Sequence, residues 1–361
     1  MVIGLTLGRY LAARFVRTIT GVFVTVFVLI YTLDFVELVR RTGDVADLST
    51  ALLAELALFR TPAVAEQILP FAVLFGSMAA LLNLSRKLEL VVMRAAGVSV
   101  WQFLAPPLLV AVGFGVFAAT VYNPVSAKLK ERAIQVETAK LGRSKGAGEK
   151  ELWIRQRSLD GQAIIRADRS MAAGTQLSRV TVFEFAKDGS FIDRVEAREA
   201  TLRDGYWELA EARITGVGVE PQSFSSYLLS TNLTPDQVRN SFSSAETIPF
   251  WELPELAART ESAGLDATRY RLQFQSLLAR PLLFVAMVFI AASVSLRFFR
   301  FGGVAKMVLG GVTAGFVLYV VTQLVEDLGA AGLLSASVAA WSPAVVGSLL
   351  GTLALLYQED G

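Results

Sequence analysis

The sequence predicts a membrane α-helical protein of six transmembrane helices, with an all-β jelly-roll domain inserted after the third. Three observations carry that prediction. Apolar runs long enough to cross a bilayer come in two groups: Leu11–Leu33, Ala63–Leu84 and Val100–Tyr122, then Leu277–Leu296, Met307–Leu324 and Val338–Tyr357. Between the groups the chain turns polar and reads as short alternating runs separated by Asp-Gly pairs. Hydrophobic residues make up 53% of the chain and charged residues 18%, which is a membrane composition and not that of a soluble domain. The domains therefore divide as 1–122, 123–254 and 255–361.

The first span starts among Arg9, Arg14 and Arg17, whose long stems let their charges reach the interface. Asp34, Glu37, Arg40 and Arg41 follow at its far end. After a loop through Gly43 and Ser49, Glu55, Arg60 and Glu66 interrupt a second apolar stretch. Pro62 and Pro70 predict a bent or broken approach there, with an interfacial helix ahead of a span over Ala63–Leu84. The N-terminal run is longer than a signal-peptide core and lacks a small-residue cleavage site.

Between the second and third spans lies Leu84–Ser99, LSRKLELVVMRAAGVS. Read as a helix, it places Leu84, Leu88, Val91, Val92, Ala95 and Val98 on one side. Arg86, Lys87, Glu89 and Arg94 fall on the other, with Leu90 and Met93 standing among the charges. Two readings stand. This helix is where a separate motor grips a membrane protein, or it is a basic loop that only fixes topology.

After the third span, Lys128–Lys145 is charged and begins as helix, and Gly142–Gly148 reads as a loop. Strands are expected over Leu152–Gln156, Ala163–Ala167, Arg179–Phe185, Arg194–Leu202, Tyr206–Ile214 and Phe224–Leu229. Asp160-Gly161, Asp188-Gly189 and Asp204-Gly205 supply turns. Glu255–Leu272 reads as an amphipathic helix returning to the membrane. Arg280 and Pro281 open the fourth span, Arg297, Arg300 and Lys306 follow it, and Glu326 and Asp327 end the fifth.

Lys and Arg in the short segments set orientation. Arg9, Arg14, Arg17, Arg86, Lys87, Arg94, Arg297, Arg300 and Lys306 share one side, which puts both termini and Leu84–Ser99 in the cytoplasm and the β domain outside it. The net charge of +2 does not suggest a polyanion binder, and no nucleic-acid partner is expected. With no Cys and no His, disulfides, thiolate metal sites, a Ser–His–Asp triad and a histidine-held zinc are excluded. No G-x-x-x-x-G-K-[ST] occurs, so the chain carries no P-loop of its own. A carboxylate-based or Ser–Lys mechanism stays open on these grounds, and energised work would need nucleotide on another chain; read as a transport subunit, the chain is expected to be a non-enzyme with no metal or cofactor of its own.

Arg40 and Arg41 are adjacent cations on the positive-poor side. They can meet a phosphorylated headgroup through charge-assisted bonds, or pair with Glu37, Asp44 or Asp47. Arg60, Glu66 and Arg280 lie close to or within spans, where ionisable groups face a bundle interior or the interface. Gly311-x-x-x-Gly315 and Gly347-x-x-x-Gly351 allow close helix approach, within the chain or to a partner.

Four stretches carry a family resemblance: LPFAVLFGSMAALLNLSRKLELVVMRAAGVS at 69–99, LSTNLTPDQV at 229–238, LDATRYRLQF at 265–274 and GGVTAGFVLYVVTQL at 310–324. Together with the order of spans and β domain, they resemble the lipopolysaccharide-export permeases of the LptF/LptG (YjgP/YjgQ) family, over nearly the whole chain. TNLTPD and the RY segment lean to its LptG side. The resemblance implies a multi-pass inner-membrane permease with a periplasmic jelly roll, paired with an LptF-like permease. It also implies an LptB-like ATPase dimer holding ATP and Mg, LptC-like and LptA-like jelly-roll partners, and lipopolysaccharide as substrate. On this sequence it implies an ATPase-coupling helix at Arg86, Leu88, Glu89, Leu90, Met93, Arg94 and Gly97, with Glu89 as the acidic contact. Lipid-phosphate contacts would fall at Arg40 and Arg41, although Asp34 stands one turn earlier where a further cation would suit a phosphate better. The rival from another class is a non-transporting envelope sensor or scaffold.

Overall fold

The computed structural model describes residues 4–42, 49–141, 152–157, 161–171, 174–186, 188–216, 220–232, 245–262, 266–301 and 304–359. Asp44, Asp47, the Gly142–Gly148 loop, Asp160 and most of the 229–238 motif lie outside the described residues. The chain divides into two units, one of Met1–Ala133, Pro249–Leu253 and Arg271–Gly361, the other of Ile134–Ile248 and Pro254–Tyr270.

The first unit is helical. Its elements are α1 Leu5–Thr42, α2 Thr50–Arg86, α3 Glu89–Ala95 and α4 Val100–Phe117. A π-helical turn, Ala118–Tyr122, leads into α5 Asn123–Leu141. After the β strands come α6 Leu253–Ser262, which falls almost wholly in the second unit, then α7 Thr268–Phe301, α8 Val304–Ala330 and α9 Ala336–Glu359. Among the described residues, 6 helical stretches are long and apolar enough to cross a membrane, at the places the sequence expects.

Three details differ from expectation. Glu255–Leu272 is not one helix: α6 ends at Ser262, and α7 starts anew at Thr268, whose N–H donates to Asp266 Oδ1 at 2.9 Å. α2 is one helix through Pro62 and Pro70, not an interfacial helix followed by a span. Proline removes one N–H, but packed neighbours keep such a helix continuous, and the Tyr122 hydroxyl donates to the Pro62 carbonyl at 3.0 Å. The third span also does not end at Tyr122. It runs through the π turn into α5, so the charged stretch after it extends the same helical run.

Close approach within this unit rests on glycine. A Cβ on Gly76 would lie 2.5 Å from the Ile19 Cα, where α1 crosses α2. On Gly115 it would lie 2.4 Å from the Pro281 Cα, where α4 crosses α7. Both contacts meet backbone, which cannot rotate away.

The second unit holds β1 Leu152–Arg157, β2 Gln162–Met171, β3 Gln176–Phe185, β4 Phe191–Arg203, β5 Tyr206–Gly216 and β6 Gln222–Ser230. All six expected strands are present and most are longer than expected. They form one sheet in sequential order, each antiparallel to the next. The described pairings are thus those of a meander. Gly189 and Gly205, at φ +85° and +86°, make the turns that Asp-Gly predicts.

The sheet curls enough for its outer strands to touch through side chains. Gln156 of β1, 3% exposed, donates to the Ser230 carbonyl at 3.3 Å. Its Oε1 accepts from the Trp207 indole at 3.2 Å and from the Thr231 hydroxyl at 2.6 Å. Trp207, Ile165, Val180, Val195 and Leu209 fill the apolar face. A row of irregularities bends the sheet across its strands. Arg179 and Glu211 have φ of +51° and +53°, and the inward phase jumps from Leu177 to Val180 and from Leu209 to Ala212. Asp168 pairs with Arg179 at 3.2 Å and Arg198 with Glu211 at 2.8 Å along that row. The register is the same on both sides of this row, so no residue is inserted there, and the one register shift in the sheet lies at Glu184 and Phe185.

Candidate functional site

Leu84–Ser99 is not one amphipathic helix. α2 ends at Arg86, and Leu88 takes the left-handed conformation at φ +60°. α3 then starts at Glu89 in a new direction. It stops with a paired closure in which Gly97 N–H donates to the Arg94 carbonyl at 2.9 Å and Val98 N–H to the Met93 carbonyl at 3.1 Å. Gly97, at φ +81°, is the residue type that closure requires. Ser99 then caps α4, exchanging hydrogen bonds with Gln102 at 3.0 and 3.3 Å.

The kink at Leu88 reverses the expected faces. Leu90 and Met93, read as knobs among the charges, are buried at 3% and 8% exposure. Leu88, Val91 and Val92, read as the inward side, are exposed. Arg86, Lys87 and Arg94 flank them in solvent. The presented surface is an apolar patch with a basic border.

Glu89 is not a free acidic contact either. It pairs with Arg14 of α1 at 3.0 Å, with side-chain exposures of 30% and 13%. Tyr10 donates its hydroxyl to the same carboxylate at 2.8 Å. Burial pushes the Glu89 carboxyl upward, but the Tyr10 and Arg14 hydrogen bonds, with the Arg14 and Lys87 charges, outweigh it and hold the group below the usual carboxylate range. The acid therefore fastens α3 to α1. Sequence reasoning missed this pair. The available signal was that charge placement puts Arg14 on the same side of the membrane as Glu89.

At the other end of α1, Arg40 and Arg41 share one carboxylate. Arg40 reaches Glu37 at 2.8 Å, and the Arg41 guanidinium donates to the other oxygen of Glu37. Both stay largely exposed. Asp34 pairs instead with Arg60 of α2 at 3.6 Å. Among the described residues, Arg40 and Arg41 share the single carboxylate of Glu37 and remain exposed.

Gly311 and Gly315 of α8 pack inside the chain. Side chains there would meet Met78 Sδ at 2.4 Å and Leu74 Cδ2 at 2.3 Å, both on α2. Their role in this chain is an α2–α8 contact. Glu66 and Arg280 form an ion pair in the helical unit, joined by Asn123.

Two cavities are apolar or mixed. A groove of about 690 Å³ lies between α1 and α4, lined by Val16, Phe23, Leu69, Gly113, Phe117 and Tyr122. A pocket of about 200 Å³ in the β unit is lined by Phe185, Ile192, Tyr227 and Leu229 among others. Among the described residues no group of His, Cys, Asp or Glu is placed to hold a metal ion.

Comparison with known proteins agrees with this architecture. The model of the family described as lipopolysaccharide export system permease LptF/LptG matches residues 9–358. The lipopolysaccharide export system permease protein LptG of Escherichia coli strain K12 is 24% identical over 344 residues, covering 89% of this chain and 90% of its own length. The protein of the same name from Haemophilus influenzae is 23% identical over 362 residues, covering 96% and 95%. A match across nearly all spans and strands leaves one assignment: the chain belongs to the LptF/LptG family of lipopolysaccharide export permeases.

Proposed function

We propose that this chain is the LptG-like permease subunit of an ABC exporter that extracts lipopolysaccharide from the inner membrane and passes it to a periplasmic β bridge. The observation that carries the reading is the family match over 9–358, joined to an apolar patch at Leu88, Val91 and Val92 on a short helix anchored to α1. In this reading both termini and α3 are cytoplasmic, and the β unit is a periplasmic jelly roll that stacks on LptC-like and LptA-like partners. An LptF-like permease completes the cavity. ATP and Mg act on a separate LptB-like dimer that seats its groove on α3. Arg40 and Arg41, both exposed beside their shared Glu37, receive lipid phosphates.

α3 suits a docking helix because its inward residues, Leu90 and Met93, are locked into the core while its outward residues are free to bury elsewhere. Force applied to the patch then reaches α1 through Glu89 and Arg14. The test is co-purification from membranes with the second permease and the ATPase. Wild-type chain is expected to retain both. Val92→Asp is expected to lose the ATPase by burying an unpaired charge, while keeping the second permease. Full ATPase retention in Val92→Asp overturns the docking site, and a chain that never retains an ATPase overturns the exporter reading in favour of a scaffold.

A further inference from the structure

The ion pair between Glu66 and Arg280 lies in two of the candidate spans. Its side chains are 8% and 19% exposed. Two buried charges gain little net stability, because desolvation consumes most of their attraction. Ionisable groups at membrane depth are accordingly rare and tied to function. Here the pair is also wired to something. Asn123, 2% exposed, donates from Nδ2 to Glu66 Oε1 at 2.9 Å, and its Oδ1 accepts the backbone N–H of Phe250 at 3.0 Å.

Phe250 belongs to Pro249–Leu253, the segment by which the chain comes back into the helical unit after residues 134–248. Asn123 starts α5, the helix by which the chain leaves. One side chain therefore ties departure to return. A second tie lies beside it: the Trp251 indole donates to the Thr120 carbonyl at 3.1 Å, within the π turn Ala118–Tyr122. Single π turns are uncommon and concentrate at functional positions. The Phe250 ring also stacks on Phe274 of α7, with centroids 5.2 Å apart.

We propose that Glu66, Asn123 and Arg280 are positioning residues for lipid transfer, forming a joint that fixes the chain's return point at Phe250 to α2 and α7. A shift of either helix is then delivered at once to the exit at α5 and to the first return at Phe250, two of the four points where the chain passes between the units. This rests on the transport reading above. It assigns a different task from α3: α3 receives force, and the joint hands it on.

The test uses the full chain assembled with its second permease and ATPase in vesicles containing lipopolysaccharide. Two rates are read: ATP turnover, and ATP-dependent photo-crosslinking of lipopolysaccharide to a benzophenone at Tyr227 of β6. Glu66→Gln and Asn123→Ala are expected to leave ATP turnover within about twofold and to slow crosslinking about tenfold or more. Unchanged crosslinking in an assembled Glu66→Gln complex overturns the joint. So does a parallel loss of ATP turnover and crosslinking in both single variants, which marks a merely structural pair. Asn123→Ala keeps the ion pair and carries the test where Glu66→Gln fails to assemble. Wild-type complex that turns over ATP without any crosslinking instead sinks the transport reading itself.

Discussion

Arg14, in the first turns of α1, holds Glu89 at 3.0 Å across 75 residues of sequence. This pair decides where α3 points, because α3 is only 7 residues long and cannot hold its place by its own helicity. Replacing Glu89 or Arg14 by Gln is expected to loosen α3, with a coupling energy on the order of 1 kcal/mol in a double-mutant cycle. The sign with pH follows from the lowered Glu89 carboxyl: the contribution is complete above the unfolded value and is lost as pH falls through the folded one. Thermal unfolding in detergent at pH 7 and in acid measures it. A coupling that persists after Glu89 is protonated contradicts the assignment.

Leu88 holds a left-handed backbone while exposing an apolar side chain. Glycine adopts that conformation without steric cost, so Leu88→Gly is expected to change stability by no more than about 1 kcal/mol. It removes part of the patch, and ATPase retention on co-purification is expected to fall. Strain kept at a surface position for the sake of a contact predicts that separation of stability from binding.

The helix contacts at Gly76 and Gly311 differ in what they touch. Gly76→Ala is expected to cost about 1–3 kcal/mol, since a methyl group there meets the Ile19 backbone. Gly311→Ala meets the end of Met78, a flexible side chain that can move aside, and is expected to cost clearly less. Thermal midpoints of the two variants in one detergent check the order.

Gln156 is the polar centre of the β unit. In Gln156→Leu, Trp207 and Thr231 lose their acceptor in a buried place, so a loss of about 2–4 kcal/mol is expected. Near-neutral stability by denaturant unfolding followed through tryptophan fluorescence contradicts that.

Asp193 of β4 has a buried carboxyl oxygen without a hydrogen-bond partner. Burial pushes its carboxyl above the usual carboxylate range. For a raised acid, the fold favours the protonated form, and that stability is lost as pH rises through the folded value. Asp193→Asn is therefore expected to raise the unfolding midpoint at pH 7, and the gain is expected to vanish in acid. Midpoints of both proteins across pH 3–8 test it.

Much of the architecture was legible in the sequence, because it is written in local patterns. Runs of apolar residues locate spans, since each must satisfy its own backbone in lipid. Asp188-Gly189 and Asp204-Gly205 locate hairpins, since glycine supplies the left-handed turn. Less legible were α2 and α5, whose prolines and charges suggested ends that packed neighbours override. The row of left-handed residues was hidden too. Arg179 and Glu211 carry no glycine to announce a left-handed backbone.

The candidate site divides in the same way. Local composition marks Leu84–Ser99 as a charged insert between spans, places cations at both ends of α1, and sets Glu66 and Arg280 among apolar residues. Packing settles which side of α3 faces out, that Glu89 belongs to Arg14, that Glu37 serves both Arg40 and Arg41, and that Glu66 meets Arg280 and Asn123. The reason is physical. Periodicity fixes which residues share a helix face, whereas a single left-handed residue at Leu88 rotates every face after it. An ion pair 75 or 214 residues apart in sequence exists only once the helices are packed.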